Sequence, residues 1–416
     1  MEPDCADTSV PRVAFFTDSF NESNGVALTS RMFAEFALKR SLAFFSVHAG
    51  PETTWSRQGN FETFELATSF ARLGLEHDLT FDLLFLRHRR ALRRRLEAFR
   101  PDRIHVTGPG HLGMLGALLA HDLGVPLAAS WHTNVHEYFA RRLSKWMLLI
   151  PASSRAWAEE ASAKRVLDLT LLFYNFADLL FAPNPELCAM LAKRCSAPVS
   201  PMHRGIDVAH YRSGRRRRQP GGPFVVGYVG RLSAEKNVRT LVEVERELRN
   251  IGAANYRFAV VGDGAERAWL QGHLKPADFP GVIRGDALAD AYADMDVLLF
   301  PSETDTFGNV ILEAAASGVP ALVTPLGGPR YLIEHGVSGF VCNDPADFAR
   351  AVQRLALNPE LHRSMREAAR TAALGRSWDA VFEGVYGEYS TRVRERTPVC
   401  PAKQHAAPGA ASGLSP

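Results

Sequence analysis

The chain has 416 residues, more than one hydrophobic core usually organises, so two domains are expected. Hydrophobic residues make up 46% and charged residues 22%, which excludes a disordered chain, and a net charge of +3 gives no indication of nucleic-acid binding. The five cysteines are scattered without a close pair of the zinc type, which argues against a metal cluster or a disulfide frame and predicts a cytoplasmic location.

Neither the N-terminus nor the longest apolar stretch predicts a targeting or membrane segment. Acidic residues and prolines precede the first apolar run, so no signal peptide is predicted. The longest apolar stretch, 167–182, is interrupted by polar residues and is shorter than the roughly 20 residues that a membrane span needs. We interpret it as a buried helix that runs into a strand.

Short apolar runs alternate with helical patterns along the chain, as is typical of parallel sheets joined by crossover helices. The first half predicts strands over 13–17, 42–48, 103–107 and 126–131, and helices over 26–39, 81–99 and 113–123. The second half predicts strands over 224–230, 258–262, 282–285, 297–301 and 321–324, and helices over 238–249, 308–318 and 378–393. The fold class is therefore α/β, with two doubly wound, Rossmann-like domains.

Composition also divides the chain into segments. The expected segments are a first domain over 1–211, a polar linker over 212–223, a second domain over 224–376, a helix over 377–396 and a disordered tail over 397–416. Doubly wound sheets bind ligands at the carboxyl ends of their strands. Two such edges facing each other predict a cleft between the domains.

The segment from Pro301 to Pro320 contains the strongest functional signal. It follows a buried strand and opens a helix at Gly308, whose unpaired N–H groups and dipole favour an anion. Two carboxylates, Asp305 on the approach loop and Glu313 about one turn inside the helix, would not suit a bare phosphate. They suit a ligand with hydroxyls beside its phosphates, such as a nucleotide sugar.

A turn with two cations follows the first strand of the second half. Gly230 and Arg231 come directly after that strand, and Lys236 precedes the next helix. An arginine fork and a compact lysine charge can neutralise a departing diphosphate where other enzymes use a metal. The alternative is a solvated helix start. The one Asp-x-Asp sequence, 294–296, precedes its strand and predicts no metal site.

Three further loops follow predicted strands. The Gly262-Asp263-Gly264 turn suits a tight reversal, with or without a ligand. In the first domain, Gly25 and Asn24 tolerate positive φ and could bring backbone amides close to a phosphate or an acceptor sugar. His132 ends another strand, where its ring could bind a sugar hydroxyl or the acceptor, or serve only the structure.

These motifs, in this order, resemble the retaining glycosyltransferases of family 4, which have the two-domain GT-B architecture. Asp305 and Glu313 are separated by seven residues, as the family's acidic pair is, and the Gly230 to Lys236 block also matches. The first acidic position is often Glu in the family and is the shorter Asp here. The resemblance extends from about 13 to 393 and is closest to GDP-mannose-dependent α-mannosyltransferases and related glycolipid synthases.

The resemblance implies roles for individual residues. Arg231 and Lys236 would bind the diphosphate, Glu313 the ribose hydroxyls, and Asp305, with Glu303 as a competitor, would lie near the transferred sugar. His132 would lie near that sugar too, and helix 377–396 would cross back onto the first domain. The implied catalytic residues are His132, Arg231, Lys236 and Asp305. The implied donor-binding residues are Gly25, Gly230, Arg231, Lys236, Gly262, Gly264, Asp305, Phe307, Gly308, Asn309, Val310 and Glu313.

The expected reaction transfers a hexose, with mannose favoured, from GDP-mannose or a UDP-hexose to a lipid-linked or glycan acceptor. No metal and no cofactor are expected. Two basic stretches, 87–100 and 141–150, could bind anionic lipid at the inner face of the plasma membrane. For the first, a core-facing helix with a solvated charged side is the favoured interpretation.

Other functions could use parts of the same pattern. A nucleotide-sugar epimerase or a phosphorylase could use the same cleft, and a non-catalytic sugar-nucleotide sensor could use the same donor site. A dinucleotide oxidoreductase is disfavoured, because no Gly-x-Gly-x-x-Gly follows the first strand.

Overall fold

The structure is a computed structural model that describes residues 10–22, 24–76, 79–132, 152–219 and 221–396. Its first sheet has eight strands in the order β10-β9-β8-β7-β1-β2-β4-β3, all parallel except the β3–β4 pair. A separate two-stranded hairpin is formed by β5 and β6. The strands are β1 (Val13–Thr17), β2 (Phe44–Gly50), β3 (Thr54–Gln58), β4 (Phe61–Ala67), β5 (Arg72–Glu76), β6 (Leu79–Asp82), β7 (Arg103–Val106), β8 (Leu127–Ser130), β9 (Leu179–Ala182) and β10 (Val199–Pro201).

The second sheet has six parallel strands in the order β13-β12-β11-β14-β15-β16. Its strands are β11 (Phe224–Val229), β12 (Tyr256–Val261), β13 (Ala277–Gly281), β14 (Val297–Phe300), β15 (Ala321–Val323) and β16 (Gly339–Val341). The central strands are apolar throughout because helices cover both faces of a parallel sheet. We refer to the two halves built on these sheets as the first and second lobes.

Twelve α-helices surround the two sheets in the described part of the chain. They are α1 (Gly25–Lys39), α2 (Arg89–Phe99), α3 (His111–Leu123), α4 (Ala152–Tyr174), α5 (Pro185–Arg194), α6 (Thr240–Asn250), α7 (Arg267–His273), α8 (Gly285–Ala293), α9 (Asn309–Ala316), α10 (Pro345–Leu357), α11 (Pro359–Leu374) and α12 (Trp378–Arg396). Within the described ranges, none of these helices is long and apolar enough to cross a membrane.

Two predicted elements were wrong. The helix predicted over 81–99 begins only at Arg89, because Asp82 is buried and its carboxylate accepts hydrogen bonds from the backbone of Ser69 and Leu84. The strand predicted over 282–285 is instead Ala277–Gly281. That strand lies at the sheet edge and alternates between exposed and partly buried residues, so it has no apolar run for a sequence pattern to detect.

The apolar face of α2 packs inward. Leu92, Leu96 and Phe99 are buried, while the arginines between them are exposed. This is the favoured sequence interpretation of the 87–100 stretch, and it leaves only the arginine side of the helix facing solvent.

Helix α12 follows the second lobe in sequence but packs on the first. The ring of Phe382 stacks on Phe33 of α1 at a centroid distance of 4.5 Å. Nearby, Arg40 forms ion pairs with Asp379 and Glu383 of α12. The contact is therefore an aromatic core with a charged rim, and it joins the two lobes by a second crossing of the chain.

The polar segment between the lobes is bound to the second lobe along its length. Arg216 and Arg218 both bind Asp296, at 2.6 and 2.7 Å, while Arg217 binds Asp290. Burial alone would raise the pKa of Asp296, which is 5% exposed, but these arginines and the N–H of Val225 hold it below the ordinary value. We call residues 212–219 the arginine strap.

The strap offers a matched pair of substitutions. Arg218→Gln should lower the free energy of unfolding by about 2 kcal/mol, because it removes a charged hydrogen bond to a buried carboxylate. Arg217→Gln should cost less than about 0.5 kcal/mol, because that side chain is 74% exposed. Urea denaturation of both variants checks this, and equal losses would contradict it.

Candidate active site

The site is built on the start of α9. Gly308 precedes the helix with φ 93° and ψ 69°, a left-handed conformation in which a β-carbon is strained. Such a β-carbon would also lie 3.1 Å from Cγ of Pro329. Within the described chain no side chain caps α9, so the N–H groups of Asn309 and Val310 at its start have no intrahelical acceptor. They form a site of positive potential.

Beside this helix start, Lys236 and Asp305 form an ion pair. Nζ of Lys236 lies 2.6 Å from Oδ1 of Asp305, and the two side chains are only 12% and 19% exposed. Among the described residues, the second carboxylate oxygen of Asp305 is buried without a hydrogen-bond partner. A ligand hydroxyl is the natural donor for that oxygen. Arg231, on the same loop as Lys236, is exposed.

The second acidic residue of the motif occupies a different environment. Oε2 of Glu313 accepts a hydrogen bond of 2.7 Å from the hydroxyl of Tyr292 in α8. Burial raises the pKa of Glu313, while the Tyr292 bond and the nearby His210 oppose the rise. The carboxyl therefore lies within one helical turn of the anion site and still has oxygen lone pairs for ribose hydroxyls.

The loop with Gly262 and Gly264 packs its backbone directly against the backbone of the loop that begins at Gly230. A β-carbon on Gly262 would lie 1.9 Å from the carbonyl oxygen of Gly230, and one on Gly264 would lie 2.3 Å from that of Leu232. Both glycines have φ above 130°. The Gly-Asp-Gly turn is therefore required sterically, and it places the loop after β12 directly against the loop that carries the two cations.

From the first lobe, the start of α1 faces the start of α9. A β-carbon on Gly25 would lie 3.2 Å from Nδ2 of Asn309. Asn24, which tolerates positive φ, is extended instead, with φ −131°, and its side chain caps α1 by accepting from the N–H of Ala27. Two helix N-termini thus converge on one space, and Gly25 is small because the other lobe is close.

His132 belongs to a chain of hydrogen bonds inside the first lobe. Nη2 of Arg204 donates to its Nδ1 at 2.8 Å, so Nε2 carries the proton and donates to Oγ of Ser130 at 2.6 Å. The hydroxyl of Ser130 in turn reaches Nε2 of His105 at 2.9 Å, and Nδ1 of His105 contacts the hydroxyl of Tyr389 in α12. Both ring nitrogens of His132 are used, so its predicted contact with the transferred sugar requires one bond to break.

Comparison with known proteins identifies this arrangement. Residues 223–358 match the family described as Glycosyl transferases group 1, and residues 72–210 match the one described as Glycosyltransferase Family 4. A GDP-mannose-dependent alpha-mannosyltransferase of Mycolicibacterium smegmatis is 34% identical over 315 residues, covering 73% of this chain and 76% of that protein. The chain belongs to glycosyltransferase family 4. It is a transferase that uses a nucleotide sugar.

A second relative is similar in sequence, and two solved structures are similar in fold. The protein of the same description from Mycobacterium tuberculosis is 35% identical over 311 residues, covering 73% of this chain and 76% of that protein. Anabaena HepE in complex with UDP and glucose matches with a TM-score of 0.64 at 17% identity, over 92% of this chain and all of that one. A Rickettsia africae glycosyltransferase matches with a TM-score of 0.68 at 13% identity, over 93% of this chain and all of that one. The predicted GT-B fold class is confirmed.

In this glycosyltransferase every predicted site residue lies on a loop that follows a strand or on the helix after it, at the facing edges of the two lobes. The cluster consists of Gly25, Gly230, Arg231, Lys236, Gly262, Gly264, Asp305, Phe307, Gly308, Asn309, Val310 and Glu313, with His132 one layer below. Phe307 is buried and anchors the loop. The strand-end residues after His132, the basic stretch 141–150 and the tail 397–416 lie outside the described residues.

Sequence reasoning missed three residues at the cleft. One is Arg204, a buried guanidinium that also donates to the hydroxyl of Thr29 in α1. Thr306 and Asn184 join the two lobes. An Asn-Pro pair after a strand is a helix-start signal, and it would have placed Asn184 as the cap of α5. No local pattern indicates that the same side chain also bonds to Thr306 in the other lobe.

The buried imidazole of His132 predicts a pH dependence of stability. Burial, together with the charge of Arg204 and with His105, keeps the pKa of His132 well below 6.5, so the folded protein holds it neutral. The unfolded chain binds this proton below pH 6.5, so stability is lost as the pH falls from 6.5 towards 5, by up to about 2 kcal/mol for this group.

The substitution His132→Asn tests this, because its amide oxygen replaces Nδ1 as the acceptor for Arg204 without titrating. We expect urea denaturation at pH 7 and pH 5 to show a smaller loss for this variant than for wild type. His121→Gln is the control, since that residue is exposed. A loss unchanged by His132→Asn would mean that the ring titrates normally.

Proposed function

We propose that this glycosyltransferase transfers mannose from GDP-mannose, with retention of configuration, to a lipid-linked or glycan acceptor. The observation that supports the proposal is the Lys236–Asp305 pair beside the open start of α9, where the buried Asp305 oxygen has no donor among the residues that the structure describes. Phosphate oxygens suit the lysine and the helix N–H groups, and a hydroxyl of the hexose suits the free carboxylate oxygen.

The proposed catalysis is largely electrostatic. As the bond between the sugar and the β-phosphate breaks, negative charge grows on the departing nucleoside diphosphate. Lys236, Arg231 and the N–H groups of Asn309 and Val310 would stabilise that charge without reorienting, which is the most effective form of electrostatic stabilisation. We propose that these cations serve where a metal would otherwise be needed, and that Glu313 orients the ribose.

The choice of donor and stereochemistry rests on the relatives. Proteins described as GDP-mannose-dependent alpha-mannosyltransferases from two mycobacteria are 34–35% identical over most of their length. An α product from an α-linked donor requires retention. A UDP-hexose is the second candidate donor, because the structurally similar Anabaena HepE was solved with UDP and glucose.

Donor use and the role of the lysine can be tested together. The melting temperature should rise with GDP and GDP-mannose more than with UDP and UDP-glucose, because a ligand that binds only the folded state stabilises it. GDP release from GDP-mannose should fall at least about a hundredfold in Lys236→Met, as for loss of one transition-state charge contact.

The matched control is Lys39→Met, because the Lys39 side chain is 68% exposed on the outer surface. It should leave GDP release unchanged. Wild-type protein that responds only to UDP and UDP-glucose would move the donor assignment to a UDP-hexose. Full activity of Lys236→Met would remove the proposed role of the ion pair.

We further propose that the first lobe contacts an anionic membrane through a surface beside α2. Four large apolar side chains are exposed next to α2: Phe70 is 94% exposed, and Leu83, Leu84 and Leu86 are 44–52% exposed. Phe70 lies close to the three leucines, because the N–H of Leu83 donates to the carbonyl of Ala71, the residue after Phe70. The exposed arginines of α2 follow directly in the chain. Apolar residues beside arginines are the pattern that inserts at an anionic lipid surface.

This surface predicts sedimentation with vesicles. Wild-type protein should bind vesicles that contain anionic phospholipid at low salt and release at high salt. Phe70→Ser should weaken binding without changing the melting temperature, because the ring is exposed. Leu357→Ser, at a residue 76% exposed in the second lobe, is the control. Equal binding by wild type and Phe70→Ser would remove this surface from the proposal.

A further inference from the structure

The three consecutive residues Thr304, Asp305 and Thr306, shortly before α9, form contacts with different lobes. Thr304 and Asp305 bind within the second lobe, through a 3.3 Å bond to the carbonyl of Glu235 and the ion pair to Lys236. By contrast, the hydroxyl and the carbonyl of Thr306 form their hydrogen bonds with residues of the first lobe in the described part of the chain. Its hydroxyl donates to the carbonyl of His132 at 2.9 Å, and its carbonyl accepts from Nδ2 of Asn184 at 2.6 Å.

Both partners in the first lobe are held rigidly. Asn184 caps α5 through its Oδ1, which accepts from the N–H of Leu187 at 2.8 Å, so its Nδ2 must point away from the helix. The residue is 4% exposed. His132 is fixed through its ring by Arg204 and Ser130. The carbonyl and the amide that reach Thr306 therefore have one orientation each.

The loop that contains Thr306 is also supported from behind. A β-carbon on Gly328 would lie 2.0 Å from the carbonyl oxygen of Thr306, and the N–H of Gly328 donates to the carbonyl of Asp305 at 2.7 Å. The loop therefore cannot retreat into its own lobe when the first lobe approaches. Any displacement of Thr306 is passed to Asp305, its neighbour in the chain.

We infer that Thr306 is a positioning residue, which converts contact between the lobes into alignment of Asp305 with the first-lobe residues at the cleft. The two bonds to His132 and Asn184 form a latch that exists only when the carboxyl edges of the two sheets meet. The inference deepens the proposed function and rests on it, because the role of Asp305 in transfer is proposed there. Transfer needs reacting groups aligned to within a fraction of an ångström, so a small displacement of this loop is costly.

The latch predicts a separation between binding and turnover. The groups proposed to hold a nucleoside diphosphate all lie in the second lobe: Lys236, Arg231, Glu313 and the N–H groups of Asn309 and Val310. Their affinity for GDP should therefore not depend on Thr306. The turnover number should depend on it, since only the latched arrangement brings the first-lobe residues to the donor.

The test uses substitutions that remove the latch but keep local structure. Thr306→Val removes the hydroxyl at nearly constant volume, and Thr306→Ser keeps it. Asn184→Asp keeps the helix cap, because aspartate caps as well as asparagine, but replaces the amide donor by a carboxylate oxygen. We expect Thr306→Val and Asn184→Asp to lower kcat for GDP-mannose consumption by about threefold to tenfold, the effect of one net hydrogen bond or slightly more. Thr306→Ser should retain wild-type kcat.

Two measurements separate the latch from general damage. The Kd for GDP, measured by calorimetry, should stay within about twofold of wild type in every variant. The loss of one net hydrogen bond to GDP would change the Kd by more than this. The radius of gyration from small-angle scattering should increase in Thr306→Val and Asn184→Asp. Thr304→Val, which removes a hydroxyl bond of the same kind within the second lobe, should leave the radius unchanged.

The outcomes are distinct. Unchanged kcat and unchanged radius in both Thr306→Val and Asn184→Asp would overturn the latch, as would a Thr306→Ser variant as impaired as Thr306→Val. If wild-type protein consumes neither GDP-mannose nor UDP-glucose, the proposed donor fails. In that case the scattering measurements alone still decide whether Thr306 holds the lobes together.

Discussion

The ion pair between Lys236 and Asp305 is the contact on which the site depends. The two residues follow β11 and β14, which are neighbours in the second sheet, so the parallel arrangement itself delivers both side chains to one edge. Their mutual neutralisation allows a carboxylate to lie beside the positive end of α9 with little exposure to water. A charge pair in these surroundings acts more strongly on a third charged group than it would in bulk water.

The first lobe contributes a rigid edge rather than further exposed charge. The bonds that run from Arg204 through His132, Ser130 and His105 to Tyr389 cross the sheet from the cleft to helix α12. Burial lowers the pKa of His105 to about 3, so this chain stays uncharged beyond the guanidinium at its start. The crossover helix thus braces the same edge that the second lobe approaches.

The two crossings between the lobes have different physical characters. The arginine strap is held by ion pairs to Asp290 and Asp296, which fix it to the second lobe. The return crossing packs Gly205 against the backbone of Trp378, where a β-carbon would lie 2.4 Å from the backbone nitrogen. A sequence rich in arginine, glycine and proline suggests a loose linker, yet most of its charge is neutralised in place.

The sequence by itself determined the fold class, the main strands and which glycines and charged residues follow the strand ends. Those signals are local: an apolar run, a Gly at a helix start, and a cation or carboxylate at fixed spacing after a strand. Only the tertiary structure decided that Thr306 and Asn184 meet, that Arg204 fixes the tautomer of His132, and that Asn24 caps a helix rather than adopting positive φ. These contacts join residues as much as 122 positions apart. No periodicity encodes such distances, because the partners are brought together only when two separately folded sheets approach edge to edge.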